Sequence, residues 1–267
     1  MLSRNVPKGD YLWGITRCRI VDTNPGSDCA LDHVRTNVMH RSARGALAVL
    51  LPLLLVASSA RAQAPLPSGF VDAATVVDGL VLDMRYFGEH NFVGEKIDGY
   101  EGPRCLLSAQ AATALAEVQR SLAARGLGLK VFDCYRPQRA VAHFVRWARK
   151  IDDVRRKSEF YPELDKRVLF EQGYIAEHSG HSRGATVDLT LVRHADGSEL
   201  DMGGPFDFFS PKSWPSVRSV SVQAQQNRAL LAQAMTRGGF RPYDKEWWHF
   251  TLANEPFPDT YFDFPVR

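Results

Sequence analysis

Apolar residues recur at helical spacing in three stretches of the chain. Across residues 107–124, Ala111, Leu115, Val118 and Leu122 fall on one face, with Ser108 placed to cap the first turn and Gly126 to end the last. Pro137 opens a second helix running to about residue 151, with Val141, Phe144, Val145 and Trp147 available for packing. A third covers 222–236 and is closed by Gly238-Gly239, and a shorter one is expected over 162–172. Between them lie runs with strand character. Residues 74–77 and 80–86 flank the tight-turn pair Asp78-Gly79, residues 129–134 read as a buried strand, 185–192 alternate, and 246–252 are aromatic-rich. Residues 88–103 carry Gly, Asn and Asp but also Phe92, Val93, Ile97 and Tyr100, a mixture that predicts an ordered loop of functional size. Helices alternating with short strands that need not be parallel predict an α+β fold. It is a single domain with a central, mainly antiparallel sheet flanked by helices.

One apolar run follows neither period. Residues 45–57 are preceded by Arg41 and Arg44 and followed by Ala60-Arg61-Ala62, the order of basic region, apolar region and small-residue cleavage site in a secretory signal. The run is shorter than the roughly 20 residues of a membrane-spanning helix and contains Pro52, so no stable membrane anchor is expected. The expected layout is an upstream extension at 1–38 with Met39 as the true start, a signal peptide at 39–62, a linker at 63–69 and the folded domain at 70–267. Export to the periplasm follows from that layout.

The 267 residues are 45% hydrophobic and 24% charged, ordinary for one soluble domain with a good core. A net charge of +3, with no long basic block, excludes nucleic acid as an expected partner. Oligomeric state is left open. Removal of the leader leaves two of the four cysteines, Cys105 and Cys134. In an oxidising compartment they form a bridge that closes a loop of about 30 residues and stabilises the fold by about 3–4 kcal/mol; the other reading is a pair of buried thiols.

Metal-competent residues concentrate in two segments: Ser179 to Asp188, with His181 and Asp188, and Glu246 to His249. Catalytic zinc takes three protein N or O ligands and keeps a position for water, so His181, Asp188 and His249 can hold an ion while Glu246 stays free as a base. A carboxylate inside an apolar strand, as at Asp188, is costly unless paired or metal-bound. The other residues have ordinary readings as well: a histidine near a turn is usually a surface or capped side chain, and Glu246 alone is a strand-edge charge. His178 and His181 also have the spacing of a ligand pair. The offsets are odd, seven residues in one pair and three in the other, which a straight strand sends to opposite faces. His181 therefore belongs in a loop entered through Gly184, and a bend or bulge belongs between Glu246 and His249.

Taken in order, these motifs resemble the zinc D-alanyl-D-alanine dipeptidases of the VanX type, within the wider group of zinc D,D-peptidases. The resemblance is carried by Ser179-x-His181-Ser-Arg-Gly-x-x-x-Asp188, by Glu246-Trp-Trp-His249, by Asp133-x-Tyr135-Arg136-Pro137, by Asn91-Phe92-x-Gly94 with Asp98-Gly99-Tyr100, and by Met202-Gly-x-x-Phe206-Asp207. It implies one zinc per chain at the sheet on His181, Asp188 and His249, Glu246 as general base, and Arg136 stabilising the transition state. It further implies that Asp207 and Ser179 bind the amino end of a free dipeptide and that Tyr100 lines the substrate cavity. A related zinc D,D-carboxypeptidase trimming peptidoglycan stems would need the same metal, base and arginine; Asp207 and the 88–103 loop favour the dipeptidase. A non-catalytic module holding zinc or a cell-wall peptide would have no need of Glu246 and Arg136.

Overall fold

The computed structural model describes residues 65–267. The expected extension at 1–38 and signal peptide at 39–62, with Cys18 and Cys29, lie outside the described residues. The three strong helical patterns form helices. The first, α1 (Ala109–Ala123), starts where Ser108 Oγ accepts the Ala111 N–H at 3.3 Å and buries Ala111, Leu115, Val118 and Leu122. Each large apolar side chain so buried contributes about 1.5–3 kcal/mol. The second, α2 (Gln138–Arg149), begins just after Pro137, and a single turn, α3 (Lys157–Phe160), follows. The last, α4 (Val222–Arg237), is capped by Ser221 and packs on α1.

The helix expected over 162–172 does not form. Asp165 accepts the Arg167 N–H with its own side chain at 2.9 Å, a local bond that competes with helix, and only a 3₁₀ turn at Lys166–Val168 results. Lys166 is drawn inward and caps the end of α2, donating to the carbonyls of Trp147 at 2.8 Å and Lys150 at 2.9 Å.

Seven strands form in chain order: β1 (Phe70–Asp72), β2 (Val81–Leu82), β3 (Leu106–Ser108), β4 (Leu127–Asp133), β5 (Thr186–Arg193), β6 (Phe240–Tyr243) and β7 (Glu246–Leu252). The run at 74–77 forms no strand: a 3₁₀ turn at Ala73–Thr75 takes its first half, where the Asp72 carboxylate accepts the Ala74 N–H at 3.1 Å. The run at 80–86 shortens to β2 and then coils into a second 3₁₀ turn at Arg85–Phe87. The central sheet has the order β2-β4-β5-β7-β6, antiparallel except for β2 with β4, and β1 pairs with β3 in a separate ribbon. The architecture is α+β with a mainly antiparallel sheet.

Two irregular segments pack against the sheet and against each other. The 88–103 loop is organised by buried Asn91, whose amide donates to the carbonyls of Gly88 and Glu95 at 2.9 Å each while its Oδ1 accepts the Val93 and Gly94 N–H groups at 3.0 Å. The C-terminal tail forms a strap that meets this loop: Phe262 N–H donates to Ser182 O at 2.9 Å, the Tyr135 ring stacks on Phe264 at 4.1 Å, and Val266 N–H donates to Gly99 O at 2.8 Å. A disulfide joins Cys105 and Cys134, with Cα atoms 5.2 Å apart and both residues fully buried.

Candidate metal centre

Register places the site. Asp188 on β5 lies opposite His249 on β7 and opposite Asp133 on β4, so three polar residues form one row across the middle of the sheet. On β4 a register shift between Val131 and Asp133 absorbs Phe132, bringing Asp133 instead of the phenyl ring beside Asp188. On β7 a second shift does similar work. Tyr243 pairs with Glu246 and the adjacent Pro242 with Phe250, so residues 247–249 bulge out of the β6 ladder, and Glu246 Oε2 comes within 3.3 Å of His249 Nδ1. The three-residue offset that a straight strand forbids is reconciled in this way.

His181 sits in a 3₁₀ turn, Gly180–Arg183, that enters β5 through Gly184 at φ +78°. A Cβ at Gly184 would stand 2.3 Å from the Phe70 ring, so this entry needs glycine for space as well as for backbone conformation. The His181 Nδ1 lies 2.7 Å from Cys134 O. A carbonyl can only accept, so Nδ1 carries the proton and Nε2 presents its lone pair.

That lone pair faces the other candidate ligands: His181 Nε2 is 3.3 Å from His249 Nδ1 and 3.3 Å from Asp188 Oδ2, and His249 Nδ1 is 3.0 Å from Asp188 Oδ1. Ligands at about 2.0–2.1 Å around a tetrahedral zinc stand about 3.3 Å apart, so the donor set has the right size and chemistry for that ion. Asp188 Oδ1 is buried with no hydrogen-bond partner among the described residues, as a ligand oxygen would be. Burial opposes its ionisation, yet the two imidazoles hold the Asp188 carboxyl below the usual carboxylate range. His178 takes no part. Its ring packs against Tyr261, 4.8 Å between centroids.

Around this trio the charges are fixed. Arg136 Nε and Nη2 each lie 2.9 Å from Asp133 Oδ2, and Nη2 lies 3.7 Å from Asp188 Oδ2. The guanidinium is clamped against the Tyr86 and Phe144 rings at 5.1 Å from each. Burial works against its charge, but Asp133 and the other acids outweigh that and keep it protonated. Burial also pushes the Glu246 carboxyl above its ordinary range, helped by Asp188. Asp207 is buried at the positive φ of +60°, accepts the Tyr86 hydroxyl at 2.7 Å, and is pushed well above the carboxylate range by burial.

These groups open into a cleft of about 350 Å³ lined by Arg136, Ser179, His181, Asp188, Asp207, Glu246 and His249, with Tyr174, Phe209 and Tyr243 among its aromatic walls. Ser179 lines the cleft while its Oγ accepts the His181 N–H at 3.3 Å. Tyr100 does not line it. Its ring is buried and its hydroxyl donates to Asp133 Oδ1 at 2.6 Å, so the expected cavity residue is instead a support for the acid that grips Arg136. Asp133 and Tyr86 received no role from the sequence. Asp133 was open to the same argument as Asp188, a carboxylate ending an apolar strand; Tyr86 gives no sequence signal.

Three N/O donors that could hold a metal ion, beside the Glu246 carboxyl and a guanidinium gripped by Asp133, make up the site of a metallopeptidase. The chain belongs to the D-ala-D-ala dipeptidase family (Peptidase_M15), matched over residues 67–267. It is 39% identical over 199 residues to a D-alanyl-D-alanine dipeptidase of Enterococcus faecium, covering 74% of this chain and 98% of that one. With the D-alanyl-D-alanine dipeptidase of Streptomyces coelicolor it shares 43% identity over 197 residues, 74% of this chain and 96% of the relative. Among solved structures, a vancomycin-resistance D,D-pentapeptidase, VanY, in complex with Zn(II) aligns over 59% of this chain and 78% of its own at 13% identity and a TM-score of 0.36.

Proposed function

We propose that the protein hydrolyses the peptide bond of D-Ala-D-Ala with one zinc ion held by His181, Asp188 and His249. The observation that carries this is the convergence of one donor atom from each of His181, Asp188 and His249 to within 4.8 Å of one another, with Glu246 Oε2 3.3 Å from His249 Nδ1, in a small cleft. Zinc bound there supplies a Lewis acid that lowers the pKa of water and polarises a carbonyl. Glu246 takes the proton of the attacking water and passes it to the leaving amine, a task that its raised pKa suits. Arg136 faces the developing oxyanion with a guanidinium already oriented by Asp133, so little reorganisation accompanies the reaction.

Asp207 is the partner for the substrate ammonium, with Ser179 beside it. A buried carboxyl resists ionising alone and gains its counter-charge when an ammonium arrives. The cleft, at about 350 Å³, is near the lower end of the ~300–1,000 Å³ typical of ligand pockets, which favours a dipeptide over a long peptide stem. The test is hydrolysis of free D-Ala-D-Ala by the zinc-loaded protein against N-blocked and pentapeptide substrates and L,L- and L,D-dipeptides. Faster cleavage of the longer peptide would transfer the assignment to D,D-carboxypeptidase chemistry.

Export is part of the same proposal. It is supported by the apolar run at 45–57 with its basic and small-residue flanks, and by a fully buried disulfide, which suits an oxidising compartment. Among the described residues no helix is long and apolar enough to cross a membrane. N-terminal sequencing of the protein recovered from the producing cells should begin at Gln63; an intact leader on the folded, active protein would contradict export by this signal.

A further inference from the structure

The turn after β4 carries two groups that act on the proposed metal site, the Cys134 carbonyl and the Arg136 guanidinium, and it lies outside the sheet ladder. Pairing between β4 and β5 ends at Asp133 opposite Asp188, and the next three residues leave the sheet. Cys134 supplies the carbonyl that fixes the His181 tautomer at 2.7 Å, and Arg136 returns to grip Asp133 at 2.9 Å. Beyond the strand, the Tyr135 N–H donates to Leu106 O at 2.9 Å, and the Arg136 N–H reaches His181 O at 3.3 Å. The covalent tie is the bond from Cys134 to Cys105. Cys105 itself is well anchored: it is fully buried, its carbonyl accepts the Ala73 N–H at 2.8 Å, and it leads directly into β3, which is paired with β1. The bridge thus anchors the turn to the β1–β3 ribbon, outside the sheet that bears Asp188 and His249.

We infer that the Cys105–Cys134 bridge is a positioning device for the metal centre, holding the Cys134 carbonyl on His181 and the Asp133–Arg136 pair beside it, so that metal affinity as well as fold stability depends on it. The inference rests on the proposed role of His181 as a metal ligand. A staple elsewhere in the fold would alter only the unfolded chain's entropy; this one joins the residue whose backbone oxygen orients a ligand. Partners of this kind typically account for about 10–100-fold in metal affinity when removed.

The test compares three full-length proteins: wild type, Cys105→Ala/Cys134→Ala, and Leu231→Ala, a fully buried side chain on α4, outside the turn that carries Cys134, which serves as a control for general destabilisation. Zinc affinity is measured by chelator competition, and coordination by the visible ligand-field bands of the cobalt(II)-substituted protein. Both variants should melt at lower temperature without metal, but only the cysteine variant should bind zinc about 10-fold or more weakly and show altered cobalt bands. Unchanged affinity and cobalt spectrum in a folded cysteine variant overturn the inference and leave the bridge a simple staple. Should the double-alanine protein not fold, Cys105→Val/Cys134→Ala, which restores most of the sulfur volume, replaces it with the same two outcomes. Failure of the wild type to bind zinc stoichiometrically would instead sink the proposed metal site itself.

Discussion

Single side chains divide the proposed chemistry into separable parts. Glu246 acts on a proton in the transition state, so Glu246→Gln, which keeps shape and removes basicity, should lower kcat by about 10²–10⁴ while zinc stoichiometry by atomic absorption stays at one. Near-normal turnover in that variant would remove Glu246 from the role of base. Asp207 acts on substrate binding. A charge-assisted hydrogen bond contributes about 1.5–3 kcal/mol, so Asp207→Asn should raise KM for the free dipeptide by about 10–100-fold with a smaller change in kcat. An N-blocked dipeptide, which has no ammonium, should not distinguish the two proteins. If it does, Asp207 contacts something other than the amino end.

At the scale of elements, the site depends on interruptions in regular structure. The shift at Phe132 sets Asp133 against Asp188, the bulge at 247–249 brings Glu246 to His249, and the glycine entry at Gly184 delivers His181. Helix α2, which follows Arg136 and offers Phe144 to its guanidinium, has its last carbonyls capped by Lys166. Burial pulls the Lys166 ammonium down to about 8, below its ordinary value near 10.4. Between those two values the unfolded chain binds more protons than the native one, so this group makes stability rise as pH rises through the window. Lys166→Met should destabilise the protein by about 0.5–1.5 kcal/mol for each hydrogen bond to the α2 carbonyls that is lost, and the gap to wild type should widen from pH 7.5 to pH 10 in urea unfolding. A gap that narrows over that range would mean that the native fold raises the pKa of Lys166 instead of lowering it.

For the whole molecule, a bound ion couples folding to metal. Its three proposed protein ligands come from the His181 turn, from strand β5 into which that turn leads, and from β7 far along the chain, so an ion bound to the native state and not to the unfolded chain stabilises it by about 4 kcal/mol at a thousandfold excess over Kd. Chelation should therefore lower Tm by several degrees, and added zinc should restore it. A melting temperature indifferent to chelator would argue that the cluster binds no ion in solution. The C-terminal strap belongs to this scale as well, because Phe262 and Phe264 tie the His181 turn to the Arg136 turn from outside the sheet.

Local chemistry was legible from the sequence to different depths. Side-chain period and capping residues determined α1, α2 and α4 and the strands β4, β5 and β7, because those signals act within a few residues of one another. The cost of a carboxylate in an apolar strand singled out Asp188, and motif order gathered His181, Glu246 and His249 around it before any coordinates. The short turns at Ala73–Thr75 and Lys166–Val168 follow no such period, since one aspartate accepting a neighbouring N–H outweighs weak periodicity. Only the tertiary structure decided which residues serve the site from a distance: Tyr100 behind Asp133, Tyr86 on Asp207 and the Cys134 carbonyl on His181. Those partners are 33, 121 and 47 residues apart along the chain. Register shifts and long-range packing set such contacts, and no local pattern encodes them.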